Sequence, residues 1–207
     1  MTPTVAIYRG DLPDALADRF AQAGRLAWDI ETSGLDWSRD RIGTCQLAGD
    51  DTSAVVQIDS LRRPDNLMRL LSIQSVQKVF HHAAFDLRFM VAAWGAKPQS
   101  IACTKVASKI LNPQGANDAH SLKTLVRQHL GIQLDKDQQR SDWMVRELSP
   151  DQTRYALNDV LHLTSLLDRL LDKARQEGVE ELIQASFAYL PARVLLDIRG
   201  SGDVFTY

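Results

Sequence analysis

The stretch L-A-W-D-I-E-T-S-G-L, Leu26 to Leu35, sets the strictest condition on how this chain can fold. An apolar run of this length followed by S-G reads as a strand that ends in a turn. Side chains alternate faces along a strand, so Asp29 and Glu31 share one face and Ile30 takes the other. At a rise of roughly 3.3 Å per residue the two carboxylates stand about 7 Å apart. Like charges at that spacing need either solvent or a positive charge between them. The ordinary reading is the wet face of a half-buried strand, with Leu26, Trp28 and Ile30 toward the core. A cation site is the other.

The surrounding pattern supplies a sheet and then its cover. Residues 25–32, 41–48 and 53–58 read as strands joined by turn-rich S-G-L-D and A-G-D-D-T, which predicts an antiparallel meander. A short helix over 66–72 and a strand over 76–81 follow, then a helix over 84–94. Beyond that point helices dominate, at 104–111 and 121–130, the latter closed by Gly131. At S-P-D-Q, Ser149 fits an N-cap, Pro150 the first helical position and Gln152 the capping-box partner. The spacing predicts one long helix from there to Gly178, with an apolar stripe through Val160, Leu163, Leu167, Leu170 and Ala174. A meander followed by helices implies an α+β or mixed α/β layered architecture with one sheet covered by helices.

Three further residues stand out by their settings. Asp86, in F-H-H-A-A-F-D-L-R-F, opens a helix directly after a strand, where the helix dipole favours an acid. Asp159, in R-Y-A-L-N-D-V-L-H-L, falls at the border of a buried face, and Tyr155 lies four residues earlier on the same side. A boundary acid reaching to water is the alternative for Asp159, and a first-turn acid the alternative for Asp86. Asp118 and Asp142 have no comparable setting.

D-I-E on a strand, H-H-A-A-F-D at a strand-to-helix junction and Y-A-L-N-D in a late helix resemble the three motifs of the DEDD exonucleases. Within that superfamily the chain is similar to the tyrosine branch and to ribonuclease D. The histidine branch has His five residues before the last Asp, where this chain has Arg154; Tyr155 stands four before. C-T-K-V-A-S-K-I-L, H-S-L-K-T-L-V and L-D-K-D-Q-Q-R-S-D-W also look like that family, and the resemblance covers roughly residues 5 to 200. It implies an α/β, ribonuclease H-like (DnaQ-like) fold with a mixed central sheet flanked by helices. It implies that Asp29, Glu31, Asp86 and Asp159 hold two divalent cations, Mg²⁺ or Mn²⁺, and that Tyr155 orients the attacking water. Carboxylates converging in one cleft suit hard cations, which relieve their repulsion and clamp both oxygens of a phosphodiester.

By the same resemblance Thr32 and Leu35 hold the 3′-terminal nucleotide, Leu35 as a wedge or else as a core leucine. Lys136, Gln139, Ser141 and Trp143 reach substrate phosphates, with packing the alternative for Trp143. His82 stands where relatives often carry Asn, either as a substrate contact or as a plain strand-end histidine. Ribonuclease D carries helical domains after its nuclease domain; single-domain relatives of the nanoRNase C type act on very short RNA as closed homo-oligomers. That similarity implies one exonuclease domain over residues 1–207, working on short single-stranded RNA as a homo-oligomer, an octameric ring. The apolar tail 190–207 is then expected at a subunit interface, with docking on its own domain as the alternative.

Charge and cysteine content narrow the rest. A net charge of −2 and a pI near 6.2 exclude coating of nucleic acid by bulk positive charge, but allow a small metal-assisted site. Cys45 and Cys103 follow no metal spacing and no disulfide framework, and the N-terminus shows no signal-peptide pattern, so a cytoplasmic protein is expected. The leading reading is a metal-dependent 3′–5′ exoribonuclease acting on short oligoribonucleotides down to dinucleotides. A 3′–5′ DNA exonuclease and a non-catalytic nucleic-acid-binding scaffold are the alternatives.

Overall fold

Strand β3 (Ile42–Ala48) is buried along its whole length, which places it in the middle of a sheet covered on both faces. The computed structural model describes residues 6–49, 51–59, 62–134 and 141–206. Six strands run in the order β1-β4-β3-β2-β5-β6: β1 (Ala6–Arg9), β2 (Arg25–Thr32), β4 (Ser53–Gln57), β5 (Gln77–Phe80) and β6 (Ile101–Cys103) join β3. The β2–β3–β4 pairings are antiparallel, the expected meander, whereas β1, β5 and β6 add in parallel to β4, β2 and β5. The parallel pairings require longer crossovers, which contain α1 (Asp14–Ala21) between β1 and β4, α2 (Asp65–Ser72) between β2 and β5, and α3 (Ala83–Trp94) between β5 and β6. The sheet is mixed and flanked by helices, as the resemblance implied. Strands β1 and β6 carry patterns too short to be read from sequence, and helix α1 is a further element that the sequence reading does not contain.

The cross-strand register decides which residues share a face. Asp29 pairs with Gln46, and Gln46 with Val55, so these three form one row across β2, β3 and β4. The next row, Ile30, Cys45 and Val56, faces the other way into the main core, where Trp28 stacks on Phe80 with ring centroids 6.2 Å apart. Helix α6 (Pro150–Leu161) lies over the first row, and Val55, Trp143, Tyr155, Ala156 and Leu157 form a second apolar cluster beneath it.

The long helix expected from Ser149 to Gly178 is two helices. The capping box at Ser149 and Gln152 is present, but α6 ends at Leu161, and α7 (Leu163–Glu177) starts after a break at His162 (φ −110°, ψ −2°). The apolar stripe continues through both because Val160 and Leu163 are each fully buried, so periodicity alone does not reveal the break. Helix α8 (Glu180–Ile198) absorbs much of the expected apolar tail. Leu190 and Val194 are buried against the chain's own core, and α8 packs on α3, where Arg88 and Arg193 both pair with Asp197. Leu195, Val204 and Phe205 remain exposed, so own-domain docking accounts for only part of that surface. Helices α4 (Thr104–Leu111) and α5 (Leu122–Leu130) complete the cover. Among the described residues no helix is long and apolar enough to cross a membrane.

Gly43 shows how tightly the segment after residue 141 sits on the sheet. A Cβ there would lie 2.3 Å from Met144 Cε and 2.5 Å from the Trp143 carbonyl oxygen, so the segment approaches β3 to a distance only glycine allows. Gly43→Ala should therefore cost about 1–3 kcal/mol by overpacking, read as a lower urea midpoint at unchanged slope. An unchanged midpoint would mean that the 143–144 segment is free to move off the strand.

Candidate active site

The site lies where β2 outruns β5. Parallel pairing between them covers only Arg25 to Ala27, so the last turn of β2 projects beyond its neighbour at the C-terminal edge. Open α/β sheets place their ligands at that edge. Ile30 N–H, left without a β5 partner, donates instead to Asp86 Oδ1 (3.2 Å), and this bond draws the first turn of α3 against β2. A register shift between Glu31 and Thr32 marks a bulge, which turns the chain away from β3 beside the acids.

Asp29, Glu31 and Asp159 offer carboxylate oxygens that all lie within 4.8 Å of one another. Asp86 sits behind them, buried and held by Ile30, close enough that its charge acts on both Asp29 and Glu31. Asp159 belongs to the last turn of α6 because of the break at His162. That is the end of a helix where an anion is disfavoured by the dipole.

Burial, joined at Asp29 and Glu31 by neighbouring charge, pushes Asp29, Glu31 and Asp86 toward their protonated forms. Asp29 is raised well above the usual carboxylate range by burial and then by the charges of Asp86, Glu31 and Asp159, against a hydrogen bond from Gln46 that lowers it. Burial and the charges of Asp159 and Asp86 raise Glu31 to about 9. Burial raises Asp86 to about 8 despite its bond from Ile30. Four crowded carboxylates, three of them with oxygens close enough to share an ion, fit two divalent cations by the chemistry of the donor set. Asp29 and Glu31 thus belong, with Asp159, to a carboxylate cluster that could hold a cation, rather than to a wet strand face.

Tyr155 meets the cluster from α6, hydrogen-bonded to Asp159 and buried; burial, and then the charge of Asp159, push its hydroxyl upward, so it stays protonated. Its ring packs on Trp143 at 6.0 Å between centroids, and Trp143 is buried. Trp143 therefore packs beneath Tyr155, the packing alternative, and also lines the cleft.

The cleft in front of the acids holds about 510 Å³. Thr32, Leu35, His82, Trp143 and Ser141 line it. Leu35 is 85% exposed, which removes the core-leucine alternative. His82 stacks on Phe85 and is lowered to about 4, first by burial and then by Lys105, so it is neutral at ordinary pH. Lys136 and Gln139 lie outside the described residues. Asp118 and Asp142 do not line the cleft.

Several residues escaped the sequence reading. Gln46, fully buried, donates from Nε2 to Asp29 Oδ2 (2.7 Å), and Thr44 Oγ1 donates to Gln46 Oε1 (3.0 Å). This relay orients the Asp29 carboxylate. Its signal was available as two polar residues at alternate positions of an otherwise apolar strand. Lys105 and Lys123 give the cleft a cationic rim, and both sit in the C-T-K and S-L-K stretches that carried the family resemblance.

The raised acids give a signed prediction. A group whose folded-state pKa exceeds its unfolded value stabilises the fold while protonated, and that stabilisation is lost as pH climbs through the folded value. For Glu31 the window runs from 4.5 to about 9. Metal-free protein should melt at a higher temperature at about pH 5.5 than at about pH 9, and Mg²⁺ should raise the melting temperature most at the alkaline end. A metal-free melting temperature that rises across this window would show that the acids do not repel as the geometry implies.

Comparison with known proteins places this geometry in context. The 3′–5′ exonuclease family model matches residues 4–175. DNA polymerase I of Aquifex aeolicus is 30% identical over 173 residues, 82% of this chain and 28% of the polymerase. Ribonuclease D of Gluconacetobacter diazotrophicus is 34% identical over 148 residues, 70% of this chain and 36% of the relative. The chain spans less than half the length of these curated relatives. The structure of NrnC from Brucella melitensis superposes with a TM-score of 0.90 at 36% identity, covering 99% of this chain and 98% of that one. Further structures of that protein contain pGG and Mg²⁺.

Proposed function

The chain belongs to the 3′–5′ exonucleases of the ribonuclease D type, and from that premise we propose that it removes nucleoside 5′-monophosphates one at a time from the 3′ end of short oligoribonucleotides, down to dinucleotides. The observation that carries the reading is the convergence of Asp29, Glu31 and Asp159 within 4.8 Å, with Tyr155 hydrogen-bonded to Asp159. The similarity to NrnC, whose structures include one with pGG, supports a short RNA substrate.

The chain's own groups divide the work. Asp29, Glu31, Asp86 and Asp159 would hold two cations, Mg²⁺ or Mn²⁺. When bound, such ions lower the pKa of water and offset charge on the phosphate. Gln46 and Ile30 N–H fix the orientations of Asp29 and Asp86. Tyr155 is too weak an acid to serve as a base; its protonated hydroxyl orients the attacking water beside Asp159. Trp143 holds the tyrosine ring in place. Leu35, exposed on the rim, wedges against the terminal base, and Thr32 and neutral His82 line the pocket for the last nucleotide. Water attacks phosphorus, the bond to the 3′ oxygen of the upstream nucleotide breaks, and that oxygen leaves with a proton.

The test is end-labelled RNA and DNA of about two to twenty nucleotides, resolved by product length with Mg²⁺, Mn²⁺ or EDTA. Stepwise loss from the 3′ end of RNA, abolished by EDTA, is expected; full activity in EDTA would refute the reading, and a preference for DNA would favour a DNA exonuclease. Tyr155→Phe should bind metal normally yet lose about 10²–10³-fold in kcat, since only the orienting hydroxyl is removed. Wild-type turnover in that variant would remove Tyr155 from the mechanism.

Assembly belongs to the same proposal. Leu182, Leu195, Val204 and Phe205 leave exposed apolar surface on and just after α8, and a closed homo-oligomer, an octameric ring, would cover it and restrict access by structured RNA. Light scattering should give a multiple of 23.2 kDa, and a monomer at micromolar concentration would refute it.

A further inference from the structure

Behind Trp143 lies a second cleft, about 470 Å³, whose rim carries Arg9, Arg41, Arg62 and Arg146 against one lining carboxylate, Asp59. Such a concentration of arginine is unexpected in a chain of net charge −2. Arg9 is engaged, donating to the Arg146 carbonyl oxygen (2.9 Å) and standing 3.7 Å from Glu147. The guanidinium groups of Arg41, Arg62 and Arg146 make no hydrogen bond or ion pair among the described residues. Exposed cations with no partner among the described residues, gathered around a concave floor, present the fork geometry that matches phosphate oxygens.

Two features join this cleft to the acid cleft. Trp143 lines both, and the Trp143–Met144 segment forms the wall between them, seated on Gly43. The turn that leaves β2 is clasped at its ends, with Ser33 N–H donating to the Arg41 carbonyl (2.9 Å) and Arg41 N–H donating to Ser33 Oγ (3.0 Å). One end of that turn faces the acids through Ser33 and Leu35, and the other delivers Arg41 to the arginine cleft.

We propose that the arginine cleft binds the upstream phosphates of oligoribonucleotides longer than two residues, so that Arg41, Arg62 and Arg146 set how strongly the protein holds a substrate beyond its 3′-terminal pair. The inference rests on the exonuclease reading above, since only a strand whose 3′ end lies among the acids directs its 5′ portion across Trp143. A dinucleotide with a 5′-hydroxyl end has no further phosphate to reach the arginines, so it is processed without them. Upstream contacts of this kind act on binding, and their contribution falls with salt as counterions are released.

The experiment compares the intact protein with Arg62→Ala, Arg146→Ala and the double variant, none of which alters the acid cluster. Steady-state cleavage of a di- and a pentaribonucleotide is measured in Mg²⁺ across a range of salt. For the pentanucleotide, KM should rise about tenfold in the double variant with kcat held, and the slope of log(kcat/KM) against log[salt] should shrink by about 0.7 per arginine removed. The dinucleotide should be unaffected within about twofold. Equal values for both substrates in all variants would overturn the proposal, as would equal losses on both. A change of mass by light scattering in the variants would overturn it in favour of a contact with a second copy. If the intact protein cleaves the dinucleotide and only the length effect is missing, this inference alone fails; if it cleaves neither, the exonuclease reading fails with it.

Discussion

Mutual repulsion among Asp29, Glu31, Asp86 and Asp159 is the constraint that the rest of the site answers. Acids this close and this far from solvent are unfavourable in a metal-free fold, so each must be held by something that does not yield. Asp29 is held by Gln46 from the neighbouring strand, Asp86 by a strand N–H that has lost its partner, and Asp159 by a helix seated on an apolar row. The energy that keeps them together comes from the main core on the opposite face of the sheet, where Trp28, Phe80, Leu26 and Leu47 are fully buried. A cluster of this kind is stored strain that cations release, which couples metal binding to the stability of the whole sheet.

The sheet contributes through its uneven edge. Because β2 extends past β5, the donor at Ile30 is free for a carboxylate instead of a strand partner. The bulge after Glu31 then starts the turn that exposes Leu35 and returns at Arg41. Trp143, lining two clefts and packed against Tyr155, joins the acid cleft to the arginine cleft.

Much of this was legible in the sequence because it is local. Alternation gave the shared face of Asp29 and Glu31, the S-P-D-Q pattern gave the start of α6, and a spacing of four put Tyr155 beside Asp159. The edge strands β1 and β6 were not legible, being four and three residues long and stabilised by pairing rather than by propensity. The break at His162 was hidden for a different reason: the apolar stripe runs unbroken across it, so the period carries no trace of the kink.

The sequence by itself singled out the four acids and the tyrosine through their resemblance to the DEDD motifs, while local pattern placed only Asp29 with Glu31 and Tyr155 with Asp159 on shared faces. Only the tertiary structure decided how those donors are held. Gln46 meets Asp29 because of a strand register set seventeen residues away, and Asp86 caps Ile30 because β5 stops short. Asp159 falls in a last helical turn because α6 and α7 pack as separate helices. The arginine cleft likewise gathers residues from 9 to 146. Periodicity reports only what lies within a few residues along the chain, whereas register, strand length and helix packing are settled by the burial of surfaces far apart in sequence.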